Sequence, residues 1–99
     1  MDAIAAERTF FAVAPDGSGH DAALRISVPI RQRACEWHAV VTLPGLDEGR
    51  YAIAGVDAWQ AIRLAMRFSA TRIHRFVDDG WQFYWERDGL PAAPAELAG

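Results

Sequence analysis

The apolar residues change their spacing once along the chain, and this pattern predicts strands on both sides of a single helix. Residues 8–14 (RTFFAVA) are rich in aromatic and aliphatic side chains and lead into PDGSGH, whose Pro, Asp and Gly favour a turn. The next segment, AALRISVPI, alternates strictly, so its aliphatic residues from Leu24 to Ile30 are expected on one face of a strand. Pro29 donates no hydrogen bond to a neighbouring strand, which indicates an edge or a bulge there.

Two further strands follow before the spacing changes. The segment CEWHAVVTL, residues 35–43, places Trp37 and Val41 on one face and Glu36 and His38 on the other. The turn sequence PGLDEG ends it, and the short segment RYAIA then alternates again. These segments are expected to pair as a third and a fourth strand.

The segment GVDAWQAIRLAMRFSATR, residues 55–72, has the spacing of a helix. Asp57 and Gln60 stand three apart, as in a capping box, so the helix is expected from about Val56 to Thr71. Its apolar face consists of Ala58, Ala61, Ile62, Ala65, Phe68 and Ser69. The alanines at the centre of this face allow the helix to lie close to a sheet.

The pattern as a whole predicts an α+β fold of order β-β-β-β-α-β. After the helix, Asp79-Gly80 favours a turn and WQFYWE, residues 81–86, alternates as a strand. We therefore expect an antiparallel sheet of about five strands with the helix packed on one face. Residues 1–88 form the single domain of this prediction, and residues 89–99, with two prolines and no period, are expected to be a loose tail.

Composition narrows the classes of function. At 99 residues and 52% hydrophobic, the chain suits one domain with one core, and the net charge of −3 disfavours general binding to nucleic acid. Asp2 and Glu7 stand where a secretory signal would be basic, and no apolar run is long enough to span a membrane. The single cysteine, Cys35, excludes an internal disulfide. A cytoplasmic protein is the expectation.

Two stretches, WHAVVTLPGL and AGVDAWQAIRLAM, resemble an uncharacterised family of small bacterial proteins, a domain of unknown function. The similarity covers about residues 37–66, and its most specific part is the helix start at Gly55, Asp57, Gln60 and Ala61. The resemblance implies a compact α+β fold and no particular activity. Where that family often has a cysteine, two residues beyond the tryptophan, this chain has Ala39.

Residues that carry chemistry are few. Cys35 and His38 are three apart and are expected on opposite faces of a strand, so Cys35 is interpreted as a buried structural residue. Glu36 and His38 share a face, where a solvated pair is favoured over an acid–base couple. Asp78-Asp79 precedes Gly80 and indicates a turn rather than a cation site. No cofactor and no metal ion is expected.

Two functions remain compatible with the sequence. The favoured one is a non-catalytic protein-interaction module, of accessory or immunity type, that forms a homodimer or binds another protein. Its expected interface consists of Trp59, Trp81 and Tyr84, on the terminal strand and the adjoining helix flank. The alternative is a small-molecule binder or minor enzyme that uses polar groups on the open sheet face. Its expected ligand-binding residues are Arg25, Arg31, Glu36 and His38. A flat, apolar surface with an exposed edge favours the first function, and a closed pocket with convergent polar groups favours the second.

Overall fold

A computed structural model describes residues 2–99 and has the predicted α+β architecture, with a six-stranded antiparallel sheet and one long helix packed on it. The strands are β1 (Ile4–Val13), β2 (Gly19–Ser27), β3 (Ile30–Arg33), β4 (Glu36–Thr42), β5 (Arg50–Gly55) and β6 (Gln82–Tyr84). The helices are α1 (Ala58–Asp78) and α2 (Pro94–Ala98). In the described residues, neither helix is both long and apolar enough to cross a membrane.

The sheet is arranged around β4, which pairs with β5 along one edge and with both β2 and β3 along the other. β1 pairs with β2, and β6 pairs with the last three residues of β1. The side of the sheet that α1 covers is called the helix face here, and the other side the open face. Residues opposite each other in an antiparallel pair share a face, so the register assigns each strand residue to one of the two.

A bulge at Val28 and Pro29 separates β2 from β3 and reverses the predicted facing of this segment. The Oγ of Ser27 accepts a hydrogen bond from the Val40 N–H at 2.7 Å, so a buried side chain replaces a backbone partner where the ladder breaks. Val28 and Ile30, expected in the core, are 40% and 56% exposed. The extra residue shifts the alternation by one, so that Ile30 lies on the open face opposite His38.

The start of α1 has the predicted cap. The Oδ1 of Asp57 accepts from the Gln60 N–H at 2.8 Å, and the Gln60 side chain accepts from the Val56 N–H at 2.8 Å, one residue before the cap. Ala61 and Ala65 are fully buried, as expected for the centre of the apolar face. A side chain at Gly55 would collide with the Ala61 backbone, so this glycine permits the close packing of β5 on α1.

The helix extends beyond the predicted end at Thr71 to Asp78. Ile73 continues the apolar face and is fully buried, so packing on the sheet sustains the extra turns. The helix ends at Asp79 and Gly80, and this glycine has a φ of 102°, which favours glycine over other residues.

The residues expected to form a loose tail pack against the domain instead. The N–H of Ala92 donates to the Phe83 carbonyl at 2.9 Å, and the Trp85 N–H donates to the Leu90 carbonyl at 3.0 Å. The chain thereby folds back along β6 before α2 packs against α1 and buries Leu97. Composition did not indicate this because only two residues of the tail, Ala92 and Leu97, enter the core.

Candidate functional site

The open face carries charged side chains that are already paired with one another. Glu36 and His38 lie 3.0 Å apart, as their shared face predicted. Arg25 forms an ion pair with Glu7, which is directly opposite it on β1. Across the sheet, the Arg50 guanidinium binds both carboxylate oxygens of Asp2, and each of these pairs is partly exposed.

The four predicted ligand-binding residues do not converge on one place. Arg25, Glu36 and His38 lie on the open face, but Arg31 is opposite Trp37 and therefore lies on the helix face. The expected position of Arg31 on the open face was wrong because the bulge at Val28 and Pro29 reverses the facing of β3.

A shallow depression of about 410 Å³ lies on the open face between β1, β2 and the turn after β6. The Phe11 ring forms its apolar floor, and the Arg87 guanidinium lies 4.6 Å from the centre of that ring. Asp21 and Glu86 add carboxylates to its wall. Of the predicted ligand-binding residues, this depression includes Arg25 and none of the other three.

The three predicted interface residues are also separated. Trp59 is 81% exposed in the first turn of α1, whereas Trp81 follows the end of this helix of 21 residues, which spans about 30 Å. Trp81 packs within the chain, with its ring 5.5 Å from that of Phe76. Tyr84 is half-buried on β6, whose outer edge is closed by pairing with Pro91. They therefore form no continuous surface.

A groove of about 190 Å³ separates α1 from the lower part of β1 and β2 on the helix face. Its walls are mostly aliphatic, and Met66 on α1 is half exposed at its rim. The Arg8 guanidinium donates to the carbonyls of Glu96 and Leu97, the latter at 3.2 Å, and so holds the end of α2 beside the groove. This contact places a cation at a helix C-terminus, where the helix dipole favours it.

A half-buried polar cluster that the sequence did not reveal joins α1 to the loop between β4 and β5. The Asp47 carboxylate accepts from Arg72 at 2.6 Å, from the Tyr51 hydroxyl at 3.0 Å and from the Gly49 N–H at 2.7 Å. Partial burial raises the pKa of Asp47, but these hydrogen bonds outweigh it and leave the pKa below its usual value. The same hydrogen bond from its hydroxyl raises the pKa of Tyr51.

This cluster anchors the loop and leaves little room for a ligand. The Arg72 guanidinium lies 5.4 Å from the Tyr51 ring centre and 5.3 Å from that of Phe76, so aromatic rings enclose it on two sides. Its Nε is buried without a hydrogen-bond partner among the described residues. Asp47 and Arg72 are far apart in the sequence, and a local pattern offers no signal that they meet.

The outer edge of β5 has unpaired backbone groups. In residues 2–99, β5 pairs with β4 alone. The Ala23 N–H donates to the Pro44 carbonyl at 3.0 Å. This bond shows that the backbone N–H and C=O groups of even-numbered residues at this end of β4 point toward β2. The backbone groups of the odd-numbered residues of β4 therefore point toward β5. Their partners there form hydrogen bonds with β4; they are Tyr51, Ile53 and Gly55. The N–H and C=O groups of Ala52 and Ala54 point outward.

Side chains that bind metals or act as nucleophiles are isolated. Cys35 is exposed in the turn between β3 and β4 with a φ of 59°, so the expectation that it is buried was wrong. Among the described residues, no group of three or more His, Cys, Asp or Glu side chains could hold a metal ion. Comparisons with protein-family models, curated proteins and solved structures found no match.

Proposed function

We propose that the protein is a non-catalytic protein-interaction module of accessory or immunity type in the bacterial cytoplasm. The observation that carries the proposal is the outer edge of β5, where outward backbone groups at Ala52 and Ala54 are flanked by uncharged side chains. Such an edge accepts an added strand from another chain. Two large apolar side chains, Val56 and Trp59, are 56% and 81% exposed just beyond it, which adds apolar area for a partner.

A small-molecule binder remains the second candidate, and the depression around Phe11 is the observation that favours it. Arg25, Arg87 and two carboxylates surround an aromatic floor there. Against it, Arg25 is already paired with Glu7, and Glu36 and His38 bind each other elsewhere on the face. Polar groups that are paired within the chain must give up those partners before they bind a ligand.

Amide hydrogen exchange distinguishes the two candidates. The purified chain is measured dilute, concentrated, with the macromolecular fraction of an extract from its source cells, and with the small-molecule fraction. We expect slower exchange at Ala52 and Ala54 in the concentrated sample, in the sample with the macromolecular fraction, or in both, because an added strand protects the outward N–H groups. Serum albumin at equal mass controls for crowding.

Two results would contradict the interaction module. Protection around Phe11 and Arg25 by the small-molecule fraction alone would favour the ligand-binding function. Unchanged exchange at the β5 edge, both in the concentrated sample and in the sample with the macromolecular fraction, would remove the proposal.

A further inference from the structure

We propose that two copies of this chain associate by antiparallel pairing of β5 with β5, about a two-fold axis midway between the two Ala52 residues. The inference rests on the proposed interaction function and names its partner, a second copy of the chain. It is carried by the outer edge of β5, by the register that this edge permits, and by the position of α1 above it.

Apart from Arg50, its first residue and its one charge, the β5 edge lacks the features that keep exposed strands from pairing. Between Arg50 and Asp57 the sequence YAIAGV contains no charge and no proline. The lower part of β1, Ile4–Thr9, is also exposed, but it carries Glu7 and Arg8 and a shift of register between Ile4 and Ala6. Charges and bulges of this kind blunt a strand edge, so β5 is the better site of strand addition.

The register follows from the outward backbone groups. Alternation directs the backbone N–H and C=O groups of three residues outward: Arg50, Ala52 and Ala54. With the axis at Ala52, all three can form hydrogen bonds across the dimer, and Arg50 lies opposite Ala54 of the partner subunit. An axis one residue later would place Arg50 opposite Val56 of the partner subunit. The Val56 N–H is already bound to the Gln60 side chain at 2.8 Å, so that register loses hydrogen bonds.

The helices meet at a suitable spacing in this arrangement. α1 packs on both β4 and β5, and an axis midway between these two strands lies about 2.4 Å, half a strand spacing, inside β5. With the two β5 strands about 4.8 Å apart, the helix axes are about 10 Å apart, which is within the usual range for packed helices.

The side of α1 that would face the partner helix is uncharged over its first turns. Phe68 marks this side, because its ring lies 5.0 Å from the Tyr51 ring on β5. A helical period places Gln60, Leu64 and Thr71 on the same flank. Arg63 lies on the solvent side of the helix, and the exposed Arg67 stands at the margin of this flank beside Gln60 and Thr71, so each subunit adds one cation near the rim of the contact.

The size of the surface sets the strength that we expect. The six residues of β5 and four of the helix flank are fewer than the roughly 20–30 residues that each partner contributes to a standard interface. A dimer of this size is expected to dissociate in the micromolar range, as weak complexes do.

Disulfide cross-linking tests the axis directly. Cys35→Ser removes the native thiol, and Ala52→Cys or Ala54→Cys then adds one exposed thiol on the same strand. With the axis at Ala52, the two Cα atoms of residue 52 lie about 5.5 Å apart, which suits a disulfide. Those of residue 54 lie about 14 Å apart, beyond its reach. At micromolar concentration in a glutathione buffer, we expect Ala52→Cys to form covalent dimer at least tenfold faster than the matched Ala54→Cys chain.

Light scattering provides the non-covalent test. The parent is expected to change from monomer to dimer as its concentration rises through the micromolar range, and Ala54→Pro to stay monomeric because proline lacks the outward N–H. Thr9→Pro, on the exposed part of β1, is the matched control and should dimerise like the parent. Circular dichroism checks that each variant folds. If Ala54→Pro does not fold, the cross-linking rates of the two cysteine variants decide whether the chain dimerises through β5.

Equal cross-linking of the two cysteine variants, or a parent that is monomeric at every concentration, would overturn the dimer. The interaction function would still stand if the macromolecular extract protected the β5 amides while the concentrated chain did not. If neither the concentrated chain nor the chain with the macromolecular extract shows protection of the β5 amides, both proposals are removed together.

Discussion

Ala65 lies where α1 comes closest to the sheet, and no larger side chain fits there. It is fully buried at the centre of the apolar face. We expect Ala65→Leu to lower the free energy of unfolding by about 1–3 kcal/mol, because the added atoms force the helix away from the sheet. Urea denaturation measures this change. Ala70→Leu, on a less buried side of α1, is the control, and an equal loss in both variants would contradict the packing argument.

Asp47 makes the stability depend on pH. Its pKa is lowered in the folded state, so its stabilisation is complete above its unfolded pKa of about 3.9 and is lost as the pH falls through the lower folded value. Asp47→Asn removes the charge that binds Arg72. We expect the parent to be the more stable at pH 7 and the difference to shrink below about pH 4.

Urea midpoints at several pH values measure this difference for Asp47. Glu48→Gln, next to it in the sequence and exposed, serves as the control and should show a much smaller difference at pH 7. A gap between the parent and Asp47→Asn that stayed constant down to pH 2 would show that the charge of Asp47 does not stabilise the fold.

At the scale of elements, the start of α1 depends on one side chain. Asp57→Ala removes the acceptor for the Gln60 N–H and is expected to lower the free energy of unfolding by about 1 kcal/mol. Thermal and urea denaturation should agree on this value. Asp79→Ala, at the other end of the helix, removes a carboxylate from the C-terminus, where it is unfavourable, and should cost little. A larger loss from Asp79→Ala would contradict the capping argument.

Elements defined by near neighbours could be predicted from the sequence. The cap at Asp57 joins residues three apart, and the buried alanines repeat every four residues, so a short window contains the whole signal. The bulge at Val28 and Pro29 was indicated by the proline, but its effect on the facing of Ile30 and Arg31 depends on the register with β4, which no local pattern contains.

At the scale of the whole molecule, contacts between distant segments set the limit of sequence-based prediction. The pairing of Asp47 with Arg72 and of Phe83 with Ala92 requires the sheet and α1 to be in place first. The separation of the expected interface residues has the same origin, since Trp59 and Trp81 lie at opposite ends of α1 and their distance is known only once the helix is placed on the sheet. The β5 edge became visible only when the neighbours of each strand were known.

The position of β1 between β2 and β6 also shapes the folding kinetics. The β1–β2 and β4–β5 hairpins join residues close in sequence, whereas Phe11 pairs with Tyr84 near the other end of the chain. Local contacts form early, because distant pairings must first overcome the entropy of closing a long loop. We expect β6 and α2 to dock after the rate-limiting step. Contacts made there govern how slowly the protein unfolds rather than how quickly it folds, so its kinetic lifetime is set by the last strand to join the sheet.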